Sequence, residues 1–195
     1  VSEPFLVMAT QNPIETEGTY PLPEAQVDRF MMKVVVDYPS EGDEFVIVER
    51  MTGSLTPVKA VITTEQLIDL RHETEKVYVD PSLIQHAVRL ATATRDPEKF
   101  GIPDVARYIM YGASPRASIN LILSARALAF VRGRNYVVPQ DVGDMALDVM
   151  RHRLVLSYEA LSDGVTSDMI LGWILDHIKA PAQSVQTYAS VGAES

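Results

Sequence analysis

Cysteine is missing from all 195 residues. No disulfide framework and no thiolate nucleophile can be built from this chain. No run approaches the roughly 20 apolar residues of a membrane span, and no basic segment followed by an apolar one opens the chain as a leader would. Basic residues are in deficit: 17 Lys and Arg stand against 26 Asp and Glu, a formal net charge of −9. That balance counts against a nucleic-acid surface, where Lys and Arg cluster. No G-x-x-x-x-G-K-[ST] loop occurs, so the commonest triphosphate cradle is absent. No predicted strand ends in paired acids that could hold Mg2+ and polarise water. His72, His86, His152 and His177 show no metal-ligand spacing. What is present, 47% hydrophobic and 22% charged residues, is the composition of an ordinary globular protein with one large domain or two small ones. The lack of cysteine fits a cytoplasmic protein.

The stretch 6–30, LVMATQNPIETEGTYPLPEAQVDRF, organises the rest. An apolar run over 5–9 turns polar at Thr10, Gln11 and Asn12 and meets Pro13. This pattern predicts a buried strand that delivers Asn12 to a loop at its carboxyl end, where open α/β sheets place their ligands. After the loop, Pro23 is suited to the first position of a short helix that carries Asp28 and Arg29. The apolar run over 33–36 predicts a second buried strand. A chain that enters a core strand within its first residues is expected to be the C-terminal part of a longer protein.

From there the pattern is helical. Ser40 with Asp43 opens one helix, which stops at Gly53. Thr63 and Gln66 form a capping box, and Asp80-Pro81 caps the next helix. Ser114-Pro115 opens the strongest helix, whose buried face is predicted as Ile119, Ile122, Leu123, Ala127 and Phe130. Pro139 follows Val138 at the start of another, residues 154–156 are either a short strand or a frayed helix end, and Ser167 is the predicted cap of the last. Tyr108 and Tyr111 are predicted packing residues, Glu15 and Glu17 solvated loop residues. Residues 182–195 have few large apolar side chains and are expected to form a flexible tail.

The two blocks T-Q-N-P at 10–13 and E-T-E-G-T-Y-P-L-P-E-A-Q-V-D-R-F at 15–30 resemble, almost letter for letter, the sensor 1 and arginine-finger blocks of the MoxR family of AAA+ ATPases. The resemblance continues through G-A-S-P-R-A-S at 112–118, similar to that family's sensor 2 motif, and through V-x-P-x-D-V with R-H-R, between 137 and 153, similar to its lid domain. It covers nearly the whole chain except the tail. One departure is Val138, where Thr is usual before the Pro; the lost hydroxyl cap is expected to cost about 1 kcal/mol. The implied fold is an α/β remnant of a P-loop AAA+ core over 1–56, an all-α helical lid domain over 57–181 and the tail over 182–195. The missing central strand of such a sheet should leave the runs 5–9 and 33–36 with a gap between them or with unusual pairing.

The resemblance also assigns roles. Asn12, as sensor 1, would hold an attacking water against a phosphate with its carboxamide; the alternative is a turn Asn bonded to its own backbone. Arg29, as an arginine finger supplied to a neighbouring subunit, would neutralise charge on the γ-phosphate; the alternative is a surface Arg paired with Asp28 or Glu24. Arg116, as sensor 2, stands in the first turn of a helix, where a cation is unfavourable unless an anion joins it; the alternative is a solvent-facing Arg. These three are the catalytic candidates, with Asn12 and Arg116 as nucleotide contacts and no metal ligand. ATP and Mg2+ are implied only for the full-length protein. The implied partners are further copies in a homo-oligomeric ring, a hexamer, and von Willebrand factor A domain proteins, with no membrane and no nucleic acid. The implied activity is ATP hydrolysis coupled to remodelling or maturation of client proteins, with this chain inactive alone. Two other readings stand beside it: a related ring ATPase of chelatase or helicase type, and an ATP-independent helical protein-interaction module.

Overall fold

The computed structural model describes residues 3–11, 22–54 and 57–182. Helices dominate. In order they are α1 (Glu24–Val27), α2 (Glu41–Thr52), α3 (Thr64–Glu75), α4 (Pro81–Arg95), α5 (Pro103–Ala106), α6 (Pro115–Val131), α7 (Pro139–Met150), α8 (Tyr158–Asp163) and α9 (Ser167–His177). Two 3-10 turns, Pro97–Phe100 and Arg151–Arg153, link them. The sheet found among the described residues is one antiparallel pair, β1 (Ile109–Tyr111) with β2 (Val155–Leu156). Residues 155–156 are thus a strand, which settles the choice between strand and frayed helix.

The caps are where local chemistry places them. Thr63 and Gln66 satisfy each other's amides, Gln66 N–H donating to Thr63 Oγ1 at 3.2 Å and Thr63 N–H to Gln66 Oε1 at 2.8 Å. Ser40 caps α2, Asp80 caps α4 and Ser114 caps α6, each through its side-chain oxygen. For α9 the cap is Thr166, one residue before the predicted Ser167: its hydroxyl accepts from Met169 N–H at 3.2 Å. At α7, Val138 has no hydroxyl to offer. Asp141 instead reaches back to accept from Val138 N–H at 2.9 Å, so half of the box survives.

Every buried residue among those described lies between Val77 and Ile178. The core is a layer of α4, α6, α7 and α9 packed on one another. On α6 the buried stripe is Ala117, Leu121, Ser124, Ala125 and Ala129, not the predicted set. Ile119 is 58% exposed and Leu123 and Ala127 are exposed too, while Ile122 and Phe130 are only partly covered. Both stripes have helical spacing. The one that turns inward is the small one, because it lets α4 and α7 approach the α6 backbone closely. Tyr108 is buried beside Trp173, ring centroids 6.1 Å apart, as its packing role predicts; Tyr111 is exposed.

The predicted strands over 5–9 and 33–36 are not strands. Residues 5–10 have no regular secondary structure and are exposed, and Val36 is 86% exposed. A strand needs a partner strand for its amides and carbonyls, and among the described residues neither run has one; only the Lys33 N–H meets a backbone carbonyl, that of Asp148 in α7. α2 likewise buries none of its residues, although Phe45, Val46, Val48 and Met51 are apolar. Residues 55–56 at the expected domain boundary, the loop with Asn12, Glu15 and Glu17, and the tail from 183 on lie outside the described residues. No helix among the described residues is long and apolar enough to cross a membrane.

Candidate functional site

The Pro at the first position of α6 and the Ser before it fix where that helix starts, and so where Arg116 sits. Ser114 Oγ accepts from Arg116 N–H at 3.3 Å. The same hydroxyl faces both carboxylate oxygens of Asp28, at 2.9 and 3.0 Å, and donates to them. Arg116 Nη1 donates to Asp28 Oδ2 at 2.8 Å. The Arg116 side chain remains 54% exposed, whereas that of Asp28 is 18% exposed. One guanidinium therefore stands at the positive end of a long helix, held on one side and open on the other.

Asp28 has a second cationic neighbour. Arg153, from the turn Arg151–Arg153, has a side chain with 0% exposure, and its Nε lies 3.3 Å from Asp28 Oδ1. That Nε is close enough to pair but not aligned for a hydrogen bond. Arg153 Nη2 donates to the carbonyl of Phe30 at 2.7 Å and to that of Asp28 at 3.1 Å. Nη1 donates to the Val149 carbonyl. Burial works to raise the carboxyl pKa of Asp28; the hydrogen bonds from Arg116 and Ser114 and the Arg153 charge outweigh it and hold the group below the usual carboxylate range. His152 Nε2 is 3.2 Å from the Phe30 carbonyl and its Nδ1 is buried without a partner. Burial, then the neighbouring Arg153 charge, pushes the His152 pKa down to about 4.

Arg29 is exposed and forms no ion pair among the described residues. The surface-pair alternative fails on this point, because Asp28 is taken by Arg116 and Arg153. Backbone bonds from Arg29 N–H to the Gln26 carbonyl, 3.2 Å, and from Phe30 N–H to the Val27 carbonyl, 3.1 Å, close the turn that carries it. Just beyond, Lys33 N–H donates to the Asp148 carbonyl at 2.7 Å, and the Lys33 carbonyl accepts from Arg151 at 2.7 Å. Arg151 itself is paired with Asp148 and Asp168.

The structure thus brings the segments of Arg29 and Arg116 together and leaves Asn12 outside the described residues. Sequence reasoning missed Asp28 and Arg153, the two groups that join those segments. Asp28 stood in the D-R-F triplet and Arg153 in R-H-R; a charged residue followed by Leu154, Val155 and Leu156 was the signal of a buried Arg. The residues present fit a phosphate: an arginine with an open side, at a helix N-terminus. They do not fit a divalent cation, since the carboxylate here is already neutralised by guanidiniums.

Comparison with known proteins agrees with this layout. Residues 1–32 match the model of the ATPase family associated with various cellular activities (AAA), and residues 103–172 match the AAA lid domain. The chain is 48% identical over 178 residues to Chaperone MoxR1 of Mycobacterium tuberculosis, covering 91% of this chain and 47% of that protein. It is 32% identical to Protein MoxR of Paracoccus denitrificans, covering 84% of this chain and 52% of that one. A crystal structure assigned as an ATPase, from Cytophaga hutchinsonii, superposes with a TM-score of 0.88 at 41% identity, covering 93% of this chain and 56% of that one. The chain spans about half the length of these relatives.

Proposed function

The chain belongs to the MoxR family of AAA+ ATPases, and from that premise we propose that it is the sensor and lid portion of an enzyme that hydrolyses ATP to remodel or mature client proteins. The observation that carries this reading is Arg116, held at the α6 N-terminus by Asp28 and Ser114 with its other face open. A phosphate there would meet the guanidinium and the positive end of the helix dipole together. Residues 1–56 belong to the α/β core and 57–181 to the lid; the exposed apolar runs 5–9 and 33–36 pack on core elements that precede this chain in the full-length protein.

In that protein Arg116 binds nucleotide phosphate, Asn12 orients the attacking water, and Arg29 reaches the γ-phosphate of a neighbouring subunit in a hexameric ring. ATP supplies the phosphoryl group, and Mg2+, held by residues outside this chain, would neutralise its charge. The work takes place in the cytoplasm on von Willebrand factor A domain partners. This chain alone neither binds ATP tightly nor hydrolyses it.

The test is steady-state ATP hydrolysis by the full-length protein with single Ala substitutions at Asn12, Arg29 and Arg116. Each should depress turnover while leaving the thermal transition in place. Normal turnover in all three would remove the assignment. A second reading, an ATP-independent protein-interaction module, draws on the apolar stripe Ile119 and Leu123 left exposed on α6. Client binding that is indifferent both to nucleotide and to Arg116→Ala would favour it.

A further inference from the structure

Arg153 is a charge the fold would be cheaper without. An ion sealed from water is costly unless paired, and an apolar side chain of similar size is often neutral or better in its place. Its side chain is fully covered, yet among the described residues only one carboxylate, Asp28, stands against it, and that carboxylate is shared with Arg116. The hydrogen bonds it does make are specific. Nη2 ends on the carbonyls of Asp28 and Phe30, the residues on either side of Arg29, while Nη1 ends on those of Val149 and Met31. The Asp28 carbonyl lies in the peptide that leads into Arg29 and the Phe30 carbonyl in the peptide that leaves the turn, so gripping both holds the backbone at its entry and exit and limits the direction in which the Arg29 side chain leaves it.

We propose that Arg153 is a positioning residue for Arg29, and that Asp28, shared between Arg153 and Arg116, couples the two. This rests on the roles proposed above for Arg29 and Arg116. When Arg116 leaves Asp28 for a phosphate, the Asp28 charge falls to Arg153 alone. The pull on the 28 and 30 carbonyls changes with it, and so does the presentation of Arg29 to the next subunit. A subunit would thereby report its own nucleotide to its neighbour through three side chains, Arg116, Asp28 and Arg153, with no larger rearrangement.

The experiment is a double-mutant cycle on ATP hydrolysis by the assembled full-length protein: Arg29→Ala, Arg153→Lys, and both. Lys keeps the charge but cannot span two carbonyls. Arg153→Lys should lower kcat roughly tenfold with KM for ATP within about twofold, and adding it to Arg29→Ala should lower kcat no further. Losses that multiply would overturn the coupling while leaving the finger role intact. Full activity in Arg29→Ala would remove the finger role, and this proposal with it. Arg153→Met, an apolar side chain of similar length, should repeat the loss; wild-type kcat in that variant overturns the proposal. Should neither Arg153 variant fold, hydrogen exchange at the amides of residues 29–33 in Arg116→Ala reads the same link without touching Arg153. Exchange faster than wild type is expected, and unchanged exchange overturns it.

Discussion

Arg116 donates to Asp28 Oδ2 across 2.8 Å of space and 88 residues of chain. The bond joins the first turn of the longest described helix to the residue before Arg29. On the role proposed for Arg116, a phosphate and the Asp28 carboxylate would compete for one guanidinium.

Asp28→Asn should separate binding from turnover. Removing the carboxylate frees Arg116, so ATP affinity of the full-length protein should rise by a few-fold, read as a lower KM or by direct titration. Turnover should fall, because Arg153 loses its counter-charge next to Arg29. A parallel fall in affinity and kcat would show that Asp28 does not restrain Arg116.

Acid should loosen the junction before it unfolds the rest. The folded His152 pKa of about 4 lies below the unfolded value of 6.5. The unfolded chain therefore binds the extra proton first, and stability drains away as pH falls from 6.5 toward 4. His86, whose pKa burial also lowers, adds to the same window. Asp28 and Asp141, both depressed, lose their contribution only below the ordinary carboxylate value. Thermal unfolding midpoints of the wild-type chain should decline across that window, and His152→Gln should flatten part of the decline. An unaltered slope would place the titration elsewhere.

Asp141→Ala should be among the most damaging changes in the lid. The carboxylate is fully buried and receives Arg132 at 2.9 Å, Arg134 at 2.5 and 2.7 Å, and the Val138 amide. Burial alone would raise its pKa; the Arg134 bonds, the Val138 amide and Arg132 together hold it down. Losing it removes the carboxylate that Arg132 and Arg134 share and uncaps α7, a cost of about 3 kcal/mol, measurable by urea denaturation.

Gly112→Ala tests a close backbone approach. A Cβ there would lie 2.3 Å from the Thr94 carbonyl oxygen, beside the point where Ala113 N–H donates to Thr94 Oγ1 at 2.8 Å. Neither backbone is free to yield, so the substitution should cost about 3 kcal/mol and lower the thermal midpoint. A neutral outcome would mean that β1 can shift away from α4.

The helix starts were legible in the sequence because a cap is decided within four residues: Ser40, Thr63, Asp80 and Ser114 each needed only their own next turn. The runs 5–9 and 33–36 were not legible, because a strand is completed by a partner that local sequence does not contain. The inward face of α6 was misread for a related reason. Two stripes have the right period, and the choice between Ile119 with Leu123 and Ala117 with Ala125 depends on how closely α4 and α7 approach. At the site, Arg29 and Arg116 were visible through their motifs. Nothing nearby in sequence says that Asp28 joins them, and the only signal that the last Arg of R-H-R is sealed inside is the apolar run that follows it.

Lys33 carries a consequence of its own. Its amide and its carbonyl are both tied to the end of α7 and the turn after it, so this stretch cannot serve as a pivot. Whatever swing the helical bundle makes, residues 28–33 ride with it as cargo, and the bending must be taken up by unpinned chain on either side. Arg29 would then be aimed by the whole bundle, as a gunsight is by the barrel it is bolted to.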